Sequence, residues 1–383
     1  MLEELKGKGG LEALKYCYAH RDAYAREWKA RGGKIVGYFC NSVPEEFIIA
    51  AGFLPYRVSG DPSKPVLPAA LAGQPTDGGL TSMVSLVMDG TYSFLDHLIV
   101  PRSKSSVQGA CVMLEGTKAN NPDAPFPEVY NYVRSQTSFT TALDFDRWSM
   151  GKLKDKIGEW AGKPITDEAL KDAIRLCNET RALLKELEAK RAEDSLPVSG
   201  VDALQMIAPA MFMDKHEYNR LLREALDELP ARPDAGKVRV MVGGGPKDNL
   251  QLYEIIESCG ATVVSEDHCW GNRYSDDPVD ETDPDPTNAI FRRYIYLKGC
   301  SYVYPLRSRT ETSARAAKTG RAEAAVFSTY LDDTVAWDVP EEIKAVRELG
   351  VKTVYLQKQP YTITDPEAIR AAVKDLIAGC AQD

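Results

Sequence analysis

A chain of 383 residues, 44% hydrophobic and 27% charged, is too long for one ordinary core and too apolar to stay disordered, so two or three folded domains are expected. A formal net charge of −9 argues against a general nucleic-acid binder, which needs a basic stripe to neutralise phosphates. The sequence has no run of 18 apolar residues, and its start, MLEELKGKGG, lacks a signal-peptide core, so the expectation is a cytoplasmic protein without a membrane partner.

Taken in order, residues 1–33 read as a helical segment, with Leu2, Leu5, Leu11, Leu14, Tyr18 and Tyr24 roughly on one face. Ile35, Val36, Tyr38 and Phe39 then form a short β-branched and aromatic run bounded by Gly32-Gly33, the pattern of a buried parallel strand. It breaks at Cys40-Asn41-Ser42. Pro44 opens a helix that Ser42 is placed to cap, with Glu45 and Glu46 completing a box-like start. The helix stops at Gly52 and a second strand, Leu54 to Val58, follows. The polar turn of this strand–helix–strand unit lies at the carboxyl end of its first strand, where open α/β sheets keep their ligands.

A third strand is expected over Phe94–Pro101, followed by the polar turn Arg102–Ser106, and a fourth over Val129–Val133; together they make a first α/β domain over 34–150. Residues 151–236 carry Leu153, Ile157, Trp160, Leu170, Ile174 and Leu183 at helical spacing among charges, a connecting helical region with solvated faces. A second α/β domain, 237–383, runs strand (Val238–Val242), turn (GGGP, 243–246), helix (Asp248–Ser258) and strand (Ala261–Ser265). It continues with strand (Ala324–Ser328), helix (Pro340–Leu349), strand (Lys352–Leu356) and helix (Pro366–Ala378). The fold class is therefore α/β: two doubly wound parallel-sheet domains facing across a cleft, with a helical N-terminal and connecting layer.

Four motifs admit two readings each. GGGP could cradle a phosphate on free amides or simply make a tight turn. The cluster Glu266-Asp267-His268-Cys269-Trp270-Gly271-Asn272-Arg273 is either a metal or catalytic site or a structural polar knot. Arg307 and Arg309 could hold a phosphorylated or carboxylate ligand, or an interdomain salt bridge. Asp332 and Asp333 are either cation ligands or a solvated pair. Eight scattered cysteines without any C-x-x-C spacing support neither a disulfide framework nor a self-contained zinc or ferredoxin-type site, and most are expected as small buried hydrophobes.

The run YFCNSVPEEFIIAAGFLPYRVSG, residues 38–60, resembles the opening motif of the 2-hydroxyacyl-CoA dehydratase and benzoyl-CoA reductase family. A second likeness is an acidic-x-x-Cys-x-Gly-x-Arg turn (Glu266 to Arg273) behind an Ile-Glu-x-x-Gly helix end (Ile256 to Gly260). The resemblance covers residues 34–380 in element order. It implies paired α/β subunits that carry iron–sulfur clusters, act on CoA thioesters through a radical anion, and are served by an ATP-dependent activator. Family members ligate a [4Fe–4S] cluster through three cysteines. Here no cysteine lies between Cys40 and Cys111, Lys104-Ser105 stands where Cys-Asp is expected, and Leu331 stands at the third position. The resemblance therefore implies a subunit that binds no cluster in the usual site, with the [4Fe–4S] group on a homologous partner. Cys40, Cys111, Cys269 and Cys300 remain as donors for a displaced one. Ser42, Glu45 and Glu46 are the candidate catalytic residues, and Lys104, Arg273 and Arg307 the candidates for holding CoA. The competing classes are a non-catalytic scaffold or binding paralogue and a repurposed two-lobed enzyme without iron. The choice of thioester, and of reduction or dehydration, is left open.

Overall fold

The computed structural model describes residues 2–5, 7–67, 76–135, 139–229, 237–295, 300, 302 and 305–380. Three helices, α1 (Leu2–Leu5), α2 (Gly10–Ala19) and α3 (Arg21–Ala30), lead into the first sheet. The expected strand–helix–strand unit follows as β1 (Ile35–Tyr38), α4 (Glu45–Ala50) and β2 (Leu54–Arg57). Pro44, not Ser42, occupies the N-cap of α4, and no side chain caps it. Gly52, at φ +86°, turns the chain out of the helix into β2. A helix not expected from the sequence, α5 (Gly78–Met88), precedes β3 (His97–Pro101); α6 (Ser105–Asn120) and β4 (Val129–Tyr132) complete the lobe.

Four helices then link the lobes: α7 (Thr140–Ala161), α8 (Asp167–Arg191), α9 (Gly200–Ile207) and α10 (Lys215–Asp227). The first of them runs straight through residue 150. The second lobe holds β5 (Val238–Gly244), α11 (Gln251–Ser258), β6 (Ala261–Glu266), α12 (Pro286–Ile295) and α13 (Leu306–Thr319). It ends with β7 (Ala324–Tyr330), α14 (Val339–Arg347), β8 (Lys352–Gln359) and α15 (Pro366–Cys380).

These eight strands all pair in parallel, in two sheets of identical order: β2-β1-β3-β4 and β6-β5-β7-β8. Chain direction across each sheet reverses between its two central strands, β1/β3 and β5/β7, and such switch points leave a crevice beyond the carboxyl ends of the strands. One continuous core joins the lobes. Tyr56 and Leu98 from the first sheet, Leu184, Met211, Phe212 and Leu222 from the helical layer, and Val242 and Val263 from the second sheet are fully or almost fully buried in it. This shared burial sets the two crevices face to face, since shearing the lobes apart would expose apolar side chains from all three layers.

Candidate functional site between the two switch points

The turns that follow β1, β3, β5 and β6, and the end of β7, converge on a cavity between the lobes. Phe39, Leu80, Met83, Val107, Trp270 and Tyr361 make its walls mostly apolar. Polar groups enter at three places, the pattern of a small-molecule site.

At the first, Lys104 follows β3 and spans the cavity. Its Nζ donates to Asp77 Oδ2 at 2.5 Å, to the Tyr302 hydroxyl at 2.9 Å and to Asp333 Oδ1 at 3.4 Å, and Tyr302 itself donates to Asp333 Oδ1 at 2.9 Å. Both carboxylates are set by local structure: Asp77 caps α5 through Leu80 N–H, and Asp333 caps the turn at 334–337 through Val335 N–H. Burial works against the lysine charge, but Asp77 and Asp333 overcome it and hold the ammonium above its ordinary value. Asp332 sits at φ +61° in the turn, which folds Asp333 back beneath the sheet edge, where it is 4% exposed. Asp333 is therefore part of a buried network and not half of a solvated pair.

At the second, Arg57 ends β2. Its Nη1 donates to Cys269 O at 2.7 Å and its Nη2 to Cys269 Sγ at 2.8 Å, while the guanidinium lies 4.1 Å from the Trp270 ring centre. This is a contact from one lobe to the other. At the third, the Cys40 and Cys300 thiols both line the cavity. The Cys300 thiol is the first reason the Cys40 thiol lies well below its ordinary value; burial opposes it, and Arg57 and Ser42 assist. Beside the cavity, Lys247 donates to Gly245 O at 2.9 Å and Ser328 O at 3.1 Å, and burial brings its amine down to about 8 against the pull of Asp333 and Asp248.

Of the expected site residues, Lys104 lines the cavity. Arg273 is buried behind it, paired with Asp267 and donating to Cys300 O at 3.1 Å. Arg307 is on the surface, bonded to Glu311 on the next turn of its helix, whereas Arg309 is buried against Asp338 and Glu342 within the second lobe. Ser42 is buried next to Cys40. Glu45 and Glu46 turn away from the cavity into buried ion pairs with the helical layer. Glu45 meets Lys215 at 2.9 Å and the Tyr274 hydroxyl at 2.7 Å; Glu46 meets Arg181 at 2.5 Å and the Tyr294 hydroxyl at 2.8 Å.

The polar knot 266–273 resolves the same way. Glu266 pairs with Arg191, Asp267 with Arg273 and Ser313, and His268 with the Tyr253 hydroxyl at 2.7 Å; of this knot only Cys269 and Trp270 line the cavity. Burial, with four nearby cations, pushes His268 well down, so its imidazole is neutral. The GGGP run is a close-approach turn: Gly245 N–H donates to Ser328 O at 3.0 Å, and Gly244, at φ +97°, leaves no room for a Cβ beneath the Ser328 carbonyl. Asp77 and Tyr302 have nothing in their local sequence that marks them as site residues; Arg57 lies within the opening motif and Lys247 directly follows GGGP, but neither position by itself signals a cavity.

The side chains at two of the positions where the resemblance implies cluster cysteines do not suit iron. The Lys104 ammonium has no lone pair to give, and Leu331 is exposed with no donor atom. Cys40, Cys269 and Cys300 do line the cavity, while Cys111 is buried in the core of the first lobe. Among the described residues no group of three or more His, Cys, Asp or Glu is arranged to hold a metal ion, and no helix is long and apolar enough to cross a membrane.

Residues 40–376 match the family model described as 2-hydroxyglutaryl-CoA dehydratase, D-component. Relatives include the beta subunit of (R)-phenyllactyl-CoA dehydratase from Clostridium sporogenes, 23% identical over 85% of this chain and 86% of that one. A benzoyl-CoA reductase subunit from Thauera aromatica is 23% identical over 71% of each chain. The beta subunit of (R)-2-hydroxyglutaryl-CoA dehydratase from Acidaminococcus fermentans is 30% identical over 64% of this chain and 65% of that one.

Proposed function

This chain belongs to the 2-hydroxyglutaryl-CoA dehydratase D-component family, and from that premise we propose that it is the cluster-poor subunit of a hetero-oligomeric, ATP-activated acyl-CoA reductase or (R)-2-hydroxyacyl-CoA dehydratase. The [4Fe–4S] group belongs, in this reading, to a homologous partner subunit served by the activator. The present chain contributes the thioester cleft and proton handling.

The observation that carries this reading is the Lys104 network set in apolar walls. An acyl chain fits against Phe39, Leu80, Met83 and Trp270, where its transfer from water is favourable. The Lys104 ammonium lines that space and meets a thioester oxygen by exchanging one of its present acceptors, Asp77, Tyr302 or Asp333. With Asp77 and Asp333 beside it, Lys104 keeps its proton until a neighbouring oxygen becomes strongly basic. Glu45 and Glu46 hold the opening strand–helix unit to the helical layer, which fixes the cleft wall that carries Ser42 and Cys40.

The test is to isolate the chain with the proteins that co-purify with it, measure iron and acid-labile sulfide per chain, and assay turnover of CoA thioesters with activator and ATP. Iron on the partner alone, with turnover that needs this chain, is expected. Stoichiometric iron and sulfide on this chain by itself, or a colourless homodimer that binds no acyl-CoA, overturns the reading.

A further inference from the structure

Five arginines among the described residues are at or below 4% exposure. Four of them, Arg181, Arg191, Arg273 and Arg309, each face a carboxylate, the pairing that offsets the lost hydration of a buried cation. Arg57 is the fifth, at 3%, and it has no carboxylate partner among the described residues. Its acceptors are one carbonyl, Cys269 O on Nη1 at 2.7 Å, and two sulfurs, Met211 Sδ on Nη1 at 3.0 Å and Cys269 Sγ on Nη2 at 2.8 Å. Sulfur is a weak acceptor. The Nε–H is buried with no partner at all, so the Nε–Nη2 edge, the side-on fork that fits the two oxygens of a carboxylate, meets no oxygen. The guanidinium lies 4.1 Å from the Trp270 ring centre and lines the cavity between the lobes, beside the apolar Phe39, Leu80 and Met83. Lys104, the other cation of that lining, is already matched by Asp77 and Asp333.

We propose that the cavity is a binding site for a free, small, apolar carboxylic acid, with the carboxylate on the Nε–Nη2 edge of Arg57 and the chain against the apolar walls. The carboxylate displaces the Cys269 thiol from Nη2 and supplies the counter-charge that the fold leaves out, at the loss of one weak bond to sulfur. Burial of the chain adds affinity, and the charge sets the selection, since an uncharged analogue of the same shape leaves Arg57 without an anion. Where the cavity serves a thioester, an acid seated there takes the walls of the acyl chain and excludes it. The site itself needs no coenzyme A, iron or partner. It therefore stands apart from the thioester reading, and a chain that ignores the acid can still serve a thioester.

The probes are hexanoate and its neutral isostere hexanamide, titrated by calorimetry into the full chain at neutral pH, where the acid is ionised. Wild type is expected to bind one hexanoate per chain, and hexanamide at least about tenfold more weakly. R57M is expected to lose the preference for the acid, and R57K, which keeps the charge but not the fork, to fall between the two. A wild type that does not bind hexanoate saturably, or that binds acid and amide alike, overturns the inference, as does a folded R57M that keeps the preference. If both variants fail to fold, a crystal structure of wild type with hexanoate decides. The carboxylate on the Nε–Nη2 edge of Arg57 supports the site, and a carboxylate on Lys104 or outside the cavity overturns it.

Discussion

Replacing Arg181 by Met removes the cation that faces Glu46 in the helical layer. Both side chains are almost wholly buried, at 4% and 0% exposure, and span 135 residues of sequence. Breaking such a pair from one side costs about 3–5 kcal/mol, because the remaining charge is stranded. Here the Tyr294 hydroxyl still reaches Glu46 Oε2 at 2.8 Å, which places R181M near the lower end, about 3 kcal/mol, or roughly a hundredfold in the folded-to-unfolded ratio. E46Q together with R181M leaves no stranded charge and recovers most of the loss, leaving about 1 kcal/mol. The pH dependence has a definite sign. Burial opposes the Glu46 charge, but Arg181 and Arg293 prevail and its carboxyl is held below the usual range. The wild-type pair therefore contributes fully above the unfolded value of about 4.3 and fades as pH falls through the lower folded value. In R181M only Arg293 still opposes burial, so the carboxyl takes up its proton more readily than in wild type and the variant's deficit shrinks on acidification from pH 7 toward 5. Equilibrium urea unfolding followed by tryptophan fluorescence at both pH values measures this. An R181M stability within about 0.5 kcal/mol of wild type at pH 7, or a deficit that E46Q does not relieve, refutes the assignment of Glu46 as a structural anion.

K104M leaves Asp77 and Asp333 without their shared cation and removes the donor aimed at the thioester. Acyl-CoA affinity, measured by calorimetry on the assembled enzyme, is expected to fall at least tenfold, about 1.4 kcal/mol, and an unchanged affinity would place the ligand elsewhere. G244A forces a side chain into φ +97° beneath the Ser328 carbonyl, so a loss of about 2 kcal/mol or more is expected by urea unfolding; a neutral result would mean the turn relaxes freely. Lys247, brought down to about 8, is a cation that the fold disfavours. Wild type should therefore gain stability relative to K247M as pH rises from about 8 toward the unfolded value near 10.4, and parallel pH–stability curves for the two proteins would contradict this.

Legibility followed the range of the forces involved. The opening strand, its helix and the second strand are readable because short apolar runs and Gly or Pro stops act within a few residues, and the paired sheets follow from their alternation. Capping by Ser42 is a reasonable local expectation that fails because Pro44, with its fixed φ, enters the cap position itself. Glu45 and Glu46 look like a first-turn acidic pair from sequence. Their partners Lys215 and Arg181 come from helices more than a hundred residues away, so only the folded chain shows that both are committed. Asp332 and Asp333 are indistinguishable as letters, and the left-handed φ of the first buries the second. The resemblance marked Lys104 as an oddity at a ligand position, but could not show that two carboxylates and a phenol await it there.

The two sheets share one strand order, and each presents the same reversal edge to the other. The pocket is thus a joint property: either half alone would offer an open, flat-floored notch, and enclosure exists only while both are present. Its lining comes from separate loops on two different sheets, so one bank can be recut by a few substitutions while the opposite bank keeps its shape. Change in what the pocket accepts can therefore accumulate one side at a time.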